Sequence, residues 1–103
     1  MMRIYIICPE FRLKHIALHK LDEAYIDIMK NINEDARIAD NLSILDEMNS
    51  MLDLTDKEEM ELRYAMIHFC DSVYLIDGWE KDNKCKMELE YAISNDKKII
   101  KTK

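Results

Sequence analysis

The chain has 103 residues, 49% of them apolar, which gives room for one compact domain with a modest core and argues against a second. A formal charge of −6 with scattered Lys and Arg argues against a nucleic-acid partner, because phosphate contacts need clustered cations. No apolar run reaches the ~20 residues that span a bilayer, and Met1 to Cys8 lacks the length and cleavage site of a signal peptide, so the sequence predicts a cytoplasmic protein with no membrane partner.

Arg3-Ile4-Tyr5-Ile6-Ile7-Cys8 is β-branched and aromatic, long enough for a buried strand and too short for a helix, and Pro9 stops it. From Lys14 to Ile32 the apolar residues Ala17, Leu21, Ala24, Tyr25, Ile28 and Ile32 recur at three and four, which predicts a long helix. His15, His19 and Glu23 fall in one row of that helix and could present metal ligands, but no further ligand clusters with them, and exposed helix surface is the preferred reading. Arg37-Ile38-Ala39 predicts a short strand. Ser43 followed by Ile44, Leu45, Met48, Met51 and Leu52 predicts a short capped helix. Its Met-rich surroundings suit core packing, with a contact between copies of the chain as the second reading.

Thr55-Asp56-Lys57-Glu58 is a capping box, so a helix starts there and carries Met60, Tyr64 and Ile67 toward Phe69-Cys70. Val73-Tyr74-Leu75-Ile76 is the next strand and turns at Asp77-Gly78. Asp82 or Asn83 can cap the following helix, which bears Cys85, Glu88, Leu89, Tyr91 and Ala92 and ends at Asn95-Asp96. Lys98-Ile99-Ile100 is a last strand. Strands alternating with helices predict an α/β fold of three layers, a mostly parallel sheet of roughly four or five strands flanked by helices, flavodoxin-like or Rossmann-like. In such sheets the ligand crevice lies outside the carboxyl ends of the strands, which directs attention to the stretch from Asp77 to Glu88.

The single glycine and single proline leave no Gly-rich phosphate cradle, and neither the dinucleotide fingerprint nor the P-loop pattern is present. No cofactor and no metal are expected. Cys8, Cys70 and Cys85 are odd in number, lack Cys-x-x-Cys spacing and sit in or beside apolar segments, which predicts reduced, partly buried thiols.

Gly78-Trp79-Glu80, a short polar loop, and Glu88 ten residues after the glycine resemble the nucleoside 2-deoxyribosyltransferase-like family. The likeness is to its small branch with a Gly-Trp-Glu loop, related to deoxynucleoside 5′-monophosphate N-glycosidases. It covers roughly a third of the chain in detail and the remainder as an order of elements. The resemblance implies a nucleoside or nucleotide ligand and a Glu88 carboxylate that attacks the anomeric carbon through an oxocarbenium-like transition state. It implies that Tyr5, Cys8 and Pro9 lie at the turn lining a sugar pocket, that Asp77, Gly78, Trp79 and Lys84 lie around the ligand, and that an acidic residue of the preceding helix orients Glu88. Glu61 is nearest for that role, with Glu58 as the alternate or simply a cap.

At Asp82 the family's transferases have aspartate able to contact the base, whereas members acting on monophosphates have serine, so the resemblance implies an unphosphorylated nucleoside. As a residue, Asp82 is equally well explained as a helix N-cap. Trp79 suits stacking on a base or packing on a neighbouring loop, and Tyr5 suits the sheet core more than a sugar contact. Cys8 and Lys84 stand where the family has glycines. That makes the turns bulkier and leaves open a degenerate site or a changed ligand, and the lysine could reach an anion.

Family members assemble with neighbouring chains completing each pocket, which implies a homo-oligomer. Three functional readings follow: a deoxyribosyltransferase or N-glycosidase, a non-catalytic nucleotide- or signal-binding module, and a structural or partner-binding oligomer.

Overall fold

A computed structural model of the chain describes residues 2–43 and 51–101. The elements run β1 (Arg3–Ile7), α1 (Lys14–Asp27), β2 (Arg37–Asp40), α2 (Asp56–Phe69), β3 (Ser72–Leu75), α3 (Asn83–Ser94) and β4 (Lys98–Lys101). The helix expected over Ile44, Leu45 and Met48 lies outside the described residues. Met51 and Leu52 beyond it are helical and exposed.

The four strands form one parallel sheet in the order β2-β1-β3-β4. Alternation along the two central strands divides the core. Ile4, Ile6, Cys8, Tyr74 and Ile76 meet Leu21, Ala24 and Ile28 of α1 and its extension on one face, whereas Tyr5, Ile7, Val73 and Leu75 meet Ile67, Cys85 and Ala92 of α2 and α3 on the other. Both faces are covered, so β1 and β3 read as continuous apolar runs. Burial of each Leu or Ile side chain stabilises this arrangement by ~1.5–3 kcal/mol.

α1 follows its expected apolar stripe but changes pitch before its end. Residues Ile28–Ile32 form a π-helical turn, closed by the Asn33 amide on the Ile28 carbonyl at 2.8 Å, and Ile28 and Ile32 both pack against the core. Two tyrosines fasten this face: Tyr25 donates to Asp40 at 2.9 Å and Tyr74 to Asp27 at 2.5 Å. On the other face the capping box forms as the sequence predicts, with the Glu58 amide donating to Thr55 Oγ1 at 3.2 Å and the Thr55 amide donating to Glu58 Oε1 at 3.1 Å. Tyr64 and Tyr91 stack at 4.5 Å and join α2 to α3.

The outer strands are short and carry exposed cations, Arg37 on β2 and Lys98 and Lys101 on β4. Among the described residues, no helix is long and apolar enough to cross a membrane.

Candidate functional site

The strand order places the change of direction between β1 and β3: the chain leaves β1 toward β2 and leaves β3 toward β4. A crevice outside the carboxyl ends of two such strands is where sheets of this kind bind ligands. The residues that follow those strands, Cys8–Glu10 and Ile76–Asp82, are drawn together there. The Ile76 amide donates to the Ile7 carbonyl at 3.1 Å, and the Glu10 amide donates to Asp82 Oδ2 at 2.9 Å.

Gly78 adopts φ +100°, a left-handed conformation that side chains disfavour, and its missing Cβ would lie 3.5 Å from Pro9. The turn thus needs glycine for its backbone angle rather than for space.

Asp82 caps α3. Its Oδ1 accepts from the Lys84 amide at 2.9 Å and the Cys85 amide at 3.3 Å, while Oδ2 holds the β1 loop through Glu10. Partial burial would raise this carboxyl, but the three amides together with the charge of Arg63 outweigh it and hold the group below the usual carboxylate range. Both Asp82 oxygens are therefore engaged with backbone. Pro9, Gly78, Asp82 and Lys84 line an open depression of about 340 Å³ together with Glu10, Lys81 and Asn83.

Beneath that surface lies a sealed polar cluster. Glu88 of α3 is 0% exposed, Asn41 1% and Arg63 6%. The Tyr5 hydroxyl donates to Glu88 Oε2, Arg63 Nη1 donates to Oε1 at 3.1 Å, and Asn41 Nδ2 approaches Oε1 at 3.3 Å. Asn41 also clasps the end of β1, its Oδ1 accepting from the Cys8 amide at 3.1 Å and its Nδ2 donating to the Cys8 carbonyl at 2.9 Å. Side chains from β1, from α2 and from the residue just after β2 thus converge on one carboxylate of α3. Burial raises the Glu88 carboxyl above its ordinary range, and the charge of Arg63 with the hydrogen bonds from Tyr5, Arg63 and Asn41 opposes that rise without cancelling it. Burial, followed by the charge of Glu88, raises the Tyr5 hydroxyl well above the usual phenol. Next to this cluster Lys84 Nζ pairs with Glu59 Oε2 at 3.5 Å.

The sequence-derived residues thus fall into separate places. Tyr5 and Glu88 meet directly, and Tyr5 is at once sheet core and hydrogen-bond donor. Trp79 is half-buried against the core on the α2 and α3 face. Asp77 is exposed and borders a different hollow of about 220 Å³ with Lys20, Glu23, Asp27 and Tyr74. Glu61, expected to orient Glu88, is not brought to it; it is exposed beside Leu52, Leu54, Glu58 and Leu62. The contact from α2 comes from Arg63 instead, which shares the buried stripe of that helix with Glu59, Met60 and Ile67, Glu59 being paired with Lys84. Arg63 was not singled out from the sequence, where its spacing of three from Met60 and four from Ile67 was the available signal of a buried cation that demands a partner, whereas no local signal marks Asn41.

Cys8, Cys70 and Cys85 are free and buried, and burial pushes the Cys8 thiol up to about 12, with Asp40, Asp82 and Glu88 adding to the rise. His15 and His19 are exposed, with His19 Nε2 2.7 Å from Glu23. Among the described residues, no group of three or more His, Cys, Asp or Glu side chains is placed to hold a metal ion.

Fold and site together define a small parallel α/β domain with a buried glutamate beneath its switch-point crevice. The chain belongs to the family described as a domain of unknown function, DUF4406, whose profile matches residues 17–101. That span includes Asn41, Arg63, Asp82 and Glu88 and leaves out Tyr5, Cys8 and Pro9. No curated protein and no solved structure matches the chain.

Proposed function

We propose that this domain is a nucleoside 2-deoxyribosyltransferase-like protein, a deoxyribosyltransferase or N-glycosidase that works through Glu88. The observation that supports it is the convergence of Tyr5, Asn41 and Arg63 on the Glu88 carboxylate below the crevice between β1 and β3. In the reaction one Glu88 oxygen forms a bond to the anomeric carbon as the carbon–nitrogen bond to the base breaks, its electron pair leaving with the base. A second base or water then takes the sugar and releases the carboxylate. Tyr5, already donating to Glu88, would hold the attacking group in line.

The proposed substrate is an unphosphorylated deoxynucleoside. A helix N-terminus is a ready anion site, but the first amides of α3 already donate to Asp82, so a 5′-phosphate would have to displace a carboxylate to use them. In this reading Asp82 faces the base only after releasing Glu10. Copies of the chain associate in the cytoplasm to complete the pocket. A sedimentation run giving only monomer at micromolar concentration would sink that part.

Complete burial of Glu88 and its pairing with Arg63 favour a second reading, a binding module that keeps the fold without turnover. For the enzyme, the loops above Glu88 must part before a sugar reaches it. The test is incubation with deoxynucleosides and their 5′-monophosphates, following free base by chromatography. Base release from the nucleosides, abolished by Glu88→Ala, is the expected result. Absence of release, with thermal stabilisation by a nucleoside or nucleotide, would replace the enzyme with the module.

A further inference from the structure

The Glu88 carboxylate is held by neutral donors on two sides and by a cation on the third. Tyr5 reaches it from β1, Asn41 from the end of β2, and Arg63 from α2. The other charged or titratable groups near this cluster are Cys8, Asp40, Glu59, Tyr64, Asp82, Lys84 and Cys85. Lys84 is the one further cation in this set, and it pairs with Glu59. We infer that Arg63 is a positioning residue of this site, its guanidinium fixing the Glu88 carboxylate and supplying the charge that lets it ionise inside the protein. The inference rests on the reading of Glu88 as the reacting group.

A carboxylate with no access to water ionises only beside an opposite charge or strong donors. Arginine suits that duty because its guanidinium stays charged throughout the working range. Here it touches Glu88 through Nη1 alone, and its buried Nε has no partner among the described residues. The arginine therefore is not spent in a two-point clamp. It fixes one oxygen, Oε1, while Tyr5 holds the other, so the carboxylate is oriented from opposite ends. Freed from Arg63, the group keeps its burial and its neutral donors and loses its counter-charge.

The test reads the carboxyl itself. Protein labelled with ¹³C at glutamate carboxyls is titrated by NMR, and the Glu88 resonance is identified by its loss in Glu88→Gln. Arg63→Met should raise the Glu88 midpoint by ~1–3 pH units, the range expected for loss of an adjacent opposite charge. Arg63→Gln, which keeps a donor but no charge, should do the same, while Arg63→Lys should restore most of the wild-type midpoint. Should the Met variant fail to fold, the Gln and Lys variants carry the comparison.

An unchanged midpoint in the uncharged variants overturns the inference, as does a Lys variant that shifts as far as they do, since that outcome marks packing rather than charge. No substrate is present in this titration, so it stands apart from the glycosidase assay. Where turnover is found, the acid limb of its pH profile should rise with the NMR midpoint in the uncharged variants.

Discussion

Arg63 Nη1 lies 3.1 Å from Glu88 Oε1 with both side chains buried, an ion pair that joins α2 to α3 behind the sheet. Removing one partner strands the other charge, so Arg63→Met should cost ~3–5 kcal/mol in urea unfolding. Against the ~5–15 kcal/mol that holds a typical domain, that leaves little margin. The double variant Arg63→Met with Glu88→Met should recover much of the loss, because neither charge then remains to be buried. A double variant as unstable as the sum of the singles would refute this.

Glu88 also sets a pH dependence. Its carboxyl is raised by burial, so the folded protein binds its proton more tightly than the unfolded chain does. The associated stability is fully present below the ordinary glutamate value of ~4.3 and is lost as pH rises through the folded value. Wild type should therefore lose melting temperature relative to Glu88→Gln on going from about pH 4 upward. Parallel melting curves across that interval would contradict it.

Asp82 acts with the opposite sign. Its carboxyl is held low by the amides of Glu10, Cys85 and Lys84, against the opposing pull of partial burial. The stability it contributes is present above the ordinary aspartate value of ~3.9 and disappears as pH falls through the lower folded value. Asp82→Ala should cost about 1 kcal/mol at neutral pH through loss of the cap, with a smaller deficit in acid. Amide exchange at Lys84, Cys85 and Glu10 should speed up in the variant, and unchanged protection at all three would count against the assignment.

Gly78 can be tested without touching a charge. Because a Cβ there would meet Pro9 at an ordinary 3.5 Å, Gly78→Ala should suffer through its φ of +100° alone, by about 1 kcal/mol. Gly78→Asn should be milder, since asparagine tolerates left-handed angles better than alanine. Equal losses in chemical denaturation would mean that the turn is limited by space.

The strands and the caps were the most legible features of the sequence, because each rests on neighbouring residues. The Thr55-to-Glu58 box, the Asp82 cap and the apolar run of β1 all form as their local patterns dictate. The order of strands in the sheet and the meeting of Tyr5 with Glu88 are different, since residues 83 positions apart must be brought together by the fold. The resemblance put Tyr5 and Glu88 around one pocket without pairing them, and helix periodicity could not pair them either. It also pointed to an acidic group on α2 as the partner of Glu88, but the buried acid of that helix, Glu59, pairs with Lys84, and the residue that meets Glu88 is Arg63. Asn41 gave no warning, because its role comes from where β2 ends beside β1 and not from its neighbours in the chain. The π-helical turn at Ile28 was equally hidden, as it is a change of pitch within an unbroken apolar pattern.

The cations on the outer strands bear on how copies of the chain can meet. A further strand laid against β4 would bring its backbone alongside Lys98 and Lys101, and one laid against β2 would meet Arg37. Such residues discourage edge-to-edge pairing. Charge thus weighs against growth of the sheet at either edge, and favours building an assembly that shares a crevice between neighbours across the helices.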